Sequence, residues 1–306
     1  MYVPDEVRKC VVFVGYKSRD GAYQLAGTGF FISRHSELVE DFGFTYLVTA
    51  KHVIDGIRDK LGDKVCIRIN TNAGNARWVE VDISLWAFHP DDSEIDIAVL
   101  PCNIPDEFDH LSFSIKSFVT GRLITQIPIG IGDEVFLTGL FANHHGNTRN
   151  IPILRIGNIA AMPEEPVQTG YGLIDAYLIE ARSMGGISGS PVFVNIDMVR
   201  IAKIRPELKG QFGSVIYLLG LMHGHWDLPV TELDQIVEDG GKSKSVNMGI
   251  AIVIPTSKIL EVIDQSMIKK KEQDAVERER KKRMPVAGNL GEDDGITPEG
   301  FDEALK

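Results

Sequence analysis

From about residue 9 to residue 254 the chain is a succession of short runs rich in Val, Ile, Phe, Tyr and Leu, cut by Gly, Asp and Asn. Branched and aromatic side chains suit a pleated, half-buried surface, and the residues between them suit turns, so each run reads as a strand. The candidate strands are 9–16, 25–32, 44–50, 64–70, 77–82, 96–101, 134–140, 151–158, 173–181, 191–195, 213–222 and 248–254. Twelve strands with almost no helical periodicity between them predict an all-β chain built as barrels or sandwiches. The segment from about 103 to 130, with Pro105, Gly121, Pro128 and Gly130, divides the strands into two groups of six and reads as an inter-lobe connection.

Beyond Pro255 the pattern changes. Thr256 is a candidate N-cap, and Ile259, Leu260, Ile263 and Met267 recur at helical spacing, which predicts a helix packed on the second lobe. The helix runs into the charged stretch KKKEQDAVERERKKRM and then a Gly- and acid-rich tail over 285–306, expected to be disordered. A basic stretch followed by an acidic tail could dock a regulatory partner or fold back on the chain.

The formal net charge of −11 argues against nucleic acid as a partner, because that affinity comes mainly from Lys and Arg neutralising phosphates. No apolar stretch reaches the roughly 20 residues that span a bilayer, so no membrane association is expected. Cys10, Cys66 and Cys102 are an odd, widely spaced set, two of them in apolar runs, and read as free buried thiols. That favours a reducing, cytoplasmic setting.

The strongest local signal for chemistry is Gly185-Gly186-Ile187-Ser188-Gly189-Ser190-Pro191, a loop of small residues running into the apolar strand PVFV. A serine nucleophile needs an exposed hydroxyl on a tight turn, and its attack creates an oxyanion that backbone N–H groups stabilise at about 2.7–3.1 Å. The expected oxyanion hole is the N–H of Gly186 and of Ser188 itself. The base is His52, which follows the apolar run FTYLV and the small pair Thr49-Ala50. The carboxylate that holds its tautomer is Asp96, an acid opening the apolar run IDIAVL, where a charge costs stability unless it is paired. His144 and His145 in FANHHGNTRN have no Cys or carboxylate at ligand spacing and read as a polar loop.

In the order His, Asp, Ser, these contexts resemble the trypsin-like (chymotrypsin-fold) serine peptidases over about residues 9 to 260. TAKHV, DIAVL and GISGSPVF are similar to that family's His, Asp and nucleophile blocks, and the detail is closest to bacterial glutamyl endopeptidases and HtrA-type protease domains. The resemblance implies two six-stranded antiparallel β-barrels, with the triad in the cleft between them and a C-terminal α-helix. It implies an N-terminal barrel over 1–115 carrying His52 and Asp96, a C-terminal barrel over 116–255 carrying Ser188, a charged helix over 256–284 and the tail. The position before the nucleophile is Ile187 rather than the Asp of zymogen-activated members, so activation by N-terminal cleavage is not expected.

By the same resemblance the primary pocket is walled by Glu180 to Met184 and Leu219 to Trp226, which makes Arg182, Ser183, His223 and His225 candidate substrate-binding residues. The family's pocket His aligns with Met222, one place before His223. The expected activity is hydrolysis of a protein or peptide substrate through an acyl-enzyme, with no metal or cofactor. The alternatives are a catalytically silent peptide-binding or scaffolding module of the same fold, and a protease activated by a partner.

Overall fold

The alternation of apolar and polar residues sets the strands, and where both faces are covered it disappears. The computed structural model describes residues 3–61, 63–169, 172–181, 186–209, 213–229 and 245–283. The first lobe holds β1 (Val11–Lys17), β2 (Tyr23–His35), β3 (Gly43–Thr49), β4 (Lys64–Asn70), β5 (Ala76–Asp82), β6 (Ala87–Phe88), β7 (Ala98–Cys102) and β8 (Phe113–Ser114). Val11 to Val14 of β1 are all buried, while β5, at the edge of the sheet, holds no buried residue.

These strands pair in the order β5-β4-β1-β2-β3-β7-β6, with β8 added parallel to β2. The result is a curled half-barrel rather than a six-stranded closed one. The second lobe holds β9 (Glu134–Gly139), β10 (Ile153–Ala161), β11 (Val167–Thr169), β12 (Gly172–Ile174), β13 (Tyr177–Glu180), β14 (Pro191–Asp197), β15 (Ser214–Pro229) and β16 (Ser245–Pro255). Here β10-β13-β16-β15-β14-β9 closes into a six-stranded barrel, and β11 and β12 form a separate hairpin. The expected all-β class with a C-terminal helix is what is observed. Each of the twelve expected runs overlaps an observed strand, the run 173–181 being split between β12 and β13; those not anticipated are the two- and three-residue strands β6, β8 and β11.

Two hydrophobic cores result. One lies inside the closed barrel, and the other fills the first lobe and continues into the lobe interface through Phe136, Phe193, Leu218 and Ile254. Phe193 meets Phe113 edge-on at 5.0 Å and stacks on Phe136 at 5.2 Å, so aromatic packing fastens the lobes together. A loop of the second lobe also grips the first. Arg68 donates to Asn147 O at 2.8 Å, and the Asn150 amides bond to Asn70 Oδ1 and Arg68 O.

Helices are α1 (Asp5–Lys9), α2 (Lys51–Leu61), α3 (Gly121–Gln126), α4 (Met198–Ile204), α5 (Thr256–Ile263) and α6 (Ser266–Arg283). The periodicity of α2 is short: Val53, Ile54 and Ile57 are its buried face. In α5, Ile259, Val262 and Ile263 are buried, each worth about 1.5–3 kcal/mol. Thr256 does not cap α5; it lies inside the first turn and its hydroxyl donates to Val119 O at 2.5 Å.

The charged helix α6 departs from expectation by packing on the first lobe. Ile268 and Val276 are its buried residues, Glu272 bonds to Arg34 and to the Tyr46 hydroxyl, and Arg280 and Arg283 donate to the carbonyls of Leu38 and Glu40. The basic end of α6 is thus used within the chain. The tail expected over 285–306 lies outside the described residues. Among the described residues no helix is long and apolar enough to cross a membrane.

Candidate active site

The register of β3 against β7 pairs Thr49 with Ala98, which sets Asp96, two residues before Ala98, beside the start of α2. The first N–H groups of a helix have no partner within it, and a carboxylate is well placed to take one. Asp96 Oδ1 accepts the backbone N–H of His52 at 2.7 Å, and Oδ2 meets His52 Nδ1 at 2.6 Å. His52 therefore sits in the first helical turn, not at a strand end, and Asp96 stands just ahead of its strand.

Asp96 is 3% exposed, and three donors justify that burial. The third is His223, whose Nδ1 lies 2.5 Å from Oδ2. Desolvation by itself would raise the Asp96 pKa, but the hydrogen bonds from His223 and His52 outweigh it and hold the carboxyl below its usual range. An ionised carboxylate only accepts, so both Nδ1 atoms carry hydrogen, and in the neutral form of His52 the lone pair is then on Nε2.

His52, Asp96 and His223 place three potential metal-ligand atoms within 4.8 Å of one another. The contacts of 2.5 and 2.6 Å are hydrogen-bond distances. Two ligand atoms each at about 2.0–2.1 Å from a shared zinc in tetrahedral geometry would stand more than 3 Å apart.

The loop carrying Ser188 is held from both lobes. Ser188 O accepts the N–H of Thr28 in β2 at 2.9 Å, Gly189 N–H donates to Met222 O and Met222 N–H to Ser190 O, both at 2.8 Å. A turn closes from Ser190 N–H to Ile187 O at 3.0 Å. Gly189 has φ +83°, and a Cβ there would stand 2.2 Å from Thr28 O and 3.0 Å from Ala50 N. Only glycine allows the loop to lie this close to the residues leading into His52.

Thr28 is the hub of this junction. Fully buried, its hydroxyl donates to Gly186 O and accepts from Leu140 N–H, both at 2.9 Å, and its carbonyl accepts the Thr49 hydroxyl at 2.6 Å. Among the described residues neither the Gly186 nor the Ser188 N–H meets an acceptor.

The four candidate substrate-binding residues fare differently. Arg182 and Ser183 lie outside the described residues. His225 is half-buried on β15, opposite Ala251 of β16. His223, expected in the pocket wall, is instead 6% exposed and turned onto Asp96. The cause is a break in the β15–β16 register, where Met222 faces Val253 and Gly224 faces Ile252, leaving His223 as an extra residue. Such bulges re-aim side chains. Sequence reasoning also passed over the hub role of Thr28, for which the flanking Gly27 and Gly29 are the available signal: a Cβ on Gly27 would come within 3.2 Å of Ser188 O. His144 is exposed, and His145 Nδ1 lies 3.0 Å from Ala142 O of its own loop.

A closed six-stranded barrel beside a curled sheet, with C-terminal helices, is the chymotrypsin-like fold. The structure is similar to the protease domain of MamO from Magnetospirillum magneticum in its apo form, at 16% identity and TM-score 0.48, covering 85% of this chain and 98% of that one. It is similar to Deg5 at 13% identity and TM-score 0.45, covering 84% of this chain and 88% of that one. It is also similar to an inactive form of Rv3671c from M. tuberculosis, at 17% identity and TM-score 0.40, covering 85% and 93%. No family model and no curated protein sequence matches the chain.

Proposed function

We propose that the chain is a serine endopeptidase whose lobes, 1–115 and 116–255, carry the two halves of one active site. The observation that carries this reading is the hold of Asp96 on His52 through both the ring Nδ1 and the backbone N–H. A carboxylate bound twice to one histidine fixes the ring's tautomer and orientation, leaving Nε2 as a base. The loop of Ser188, hydrogen-bonded to Thr28 and packed against Ala50, supports its role as partner of that base.

In the reaction, His52 Nε2 takes the Ser188 hydroxyl proton as Oγ attacks a peptide carbonyl carbon. The carbonyl oxygen becomes an oxyanion bound by the N–H groups of Gly186 and Ser188. The C–N bond then breaks as His52 returns the proton to the leaving amine. Water repeats the sequence on the acyl-enzyme and releases the acid, while Asp96 stays ionised and stabilises the imidazolium. The thiols of Cys10, Cys66 and Cys102 are all unbridged, which supports a reducing, cytoplasmic setting.

The test is labelling by a fluorophosphonate, which esterifies an activated serine. The native chain is expected to label, and Ser188→Ala and His52→Ala are not. Labelling that survives Ser188→Ala, or a native chain that does not label, overturns the reading.

A further inference from the structure

Asp96 serves two imidazoles. Oδ2 takes Nδ1 of His52 at 2.6 Å and of His223 at 2.5 Å, and the rings meet edge to face at 5.7 Å and 84°. A carboxylate turns easily about its last torsion, and hydrogen bonds to its neighbours are what hold it. With His52 alone, both of its donors come from the residue that Asp96 is meant to position. His223 supplies the independent fixed point.

That point belongs to β15, the strand that also holds the nucleophile loop. Met222 bonds through both its N–H and its carbonyl to Ser190 and Gly189, and the next residue is His223. The bulge makes His223 the extra residue of β15 opposite β16 and turns its side chain across to the first lobe. Adjacent residues of one strand therefore set the Ser188 loop and Asp96.

On the reading of His52, Asp96 and Ser188 given above, we propose that His223 is a positioning residue of the active site. Its Nδ1–H locks the Asp96 carboxylate in the rotation that presents Oδ2 to the His52 ring and Oδ1 to the backbone of α2. It also ties that rotation to the strand carrying the nucleophile loop. His223 is not needed to touch the substrate.

Two variants separate this role from simple packing. His223→Phe keeps a ring and removes the donor, whereas His223→Asn keeps a side-chain N–H near the place of Nδ1. Fluorophosphonate labelling gives an affinity and a maximal rate for each. For His223→Phe the maximal rate is expected to fall about ten- to a hundred-fold, as for loss of a hydrogen bond to a charged group, while the reagent affinity changes less than about two-fold. His223→Asn is expected to stay within about three-fold of the native rate. If His223→Phe does not fold, His223→Gln, whose amide reaches one carbon too far, takes its place and is expected to be slow.

A second readout does not depend on activity. The His52 Nδ1–H proton, seen by NMR downfield of the amides, is expected to move in His223→Phe and to stay near its native position in His223→Asn. The proposal is overturned if His223→Phe labels at the native rate, if His223→Asn is as slow as His223→Phe, or if the His52 proton does not move in His223→Phe. If the native protein does not label at all, the peptidase reading fails, and the NMR comparison alone decides the role of His223.

Discussion

Replacing Thr28 with valine keeps the shape of the side chain and removes one hydroxyl. That hydroxyl satisfies Leu140 N–H and Gly186 O, each at 2.9 Å, in a site with no solvent exposure. Gly139 also presses on it, since a Cβ there would lie 2.9 Å from Thr28 Oγ1, so the site gives little room for a replacement partner. Each buried group left without a partner costs about 1–3 kcal/mol, and the Gly186 carbonyl is only partly buried, which sets the total near 2–4 kcal/mol. At about 2–4 °C per kcal/mol for a chain of this size, the melting temperature should fall by roughly 4–16 °C. Gly186 O is also released, which loosens the residue whose N–H is proposed for the oxyanion hole. The fluorophosphonate labelling rate should therefore fall about ten- to a hundred-fold at a temperature where the variant is still folded. Thr28→Ser, which keeps the hydroxyl, should recover most of both losses. Thermal unfolding by circular dichroism and labelling of the same samples read the two effects separately. If Thr28→Val melts early yet labels at the native rate, the hydroxyl serves stability alone and the link from β2 to the oxyanion loop is wrong.

Asp96→Asn replaces an acceptor-only group by one that also donates, which sets the wrong tautomer on His52, and labelling should slow by about 10⁴-fold. Because the native Asp96 pKa is depressed, its ionised form stabilises the fold above about pH 4 and that contribution is lost as pH falls through the native value. Urea unfolding of Asp96→Asn should consequently show a flatter acid limb than the native chain; an equal slope would show that the buried carboxylate is not coupled to folding. Glu272→Ala should destabilise the chain by about 1–3 kcal/mol by removing the partner of the buried Tyr46 hydroxyl and one of the partners of Arg34, without changing the labelling rate, since Glu272 bonds to neither His52, Asp96 nor the Ser188 loop. Slowed labelling in that variant would connect α6 to the site. Burial pushes the thiols of Cys10 and Cys102 up to about 12 and raises Cys66 as well, so iodoacetamide at pH 8 should modify none of them until the chain unfolds. Rapid modification of the native protein would contradict the packing around β1, β4 and β7.

A run of branched and aromatic residues is a local signal, and so the strands were legible from residue order. VVFV in β1, FTYLV in β3 and GIAIVI in β16 declare themselves without any knowledge of what they pair with. The contexts of His52, Asp96 and Ser188 were legible for a similar reason: a charged or nucleophilic residue beside an apolar run, or among glycines, is conspicuous where it stands. Pairing is not local. That the first sheet curls without closing while the second closes depends on which edges meet, β9 with β10 in one lobe and neither β5 with β6 in the other. The docking of α6 on the first lobe follows from Arg34, Tyr46, Leu38 and Glu40, more than 200 positions away, partners that its own charge pattern cannot name. His223 is the sharpest case. Its neighbours in sequence put it on a strand wall, and a single extra residue in the β15–β16 ladder, invisible to any count of apolar positions, turned it onto Asp96.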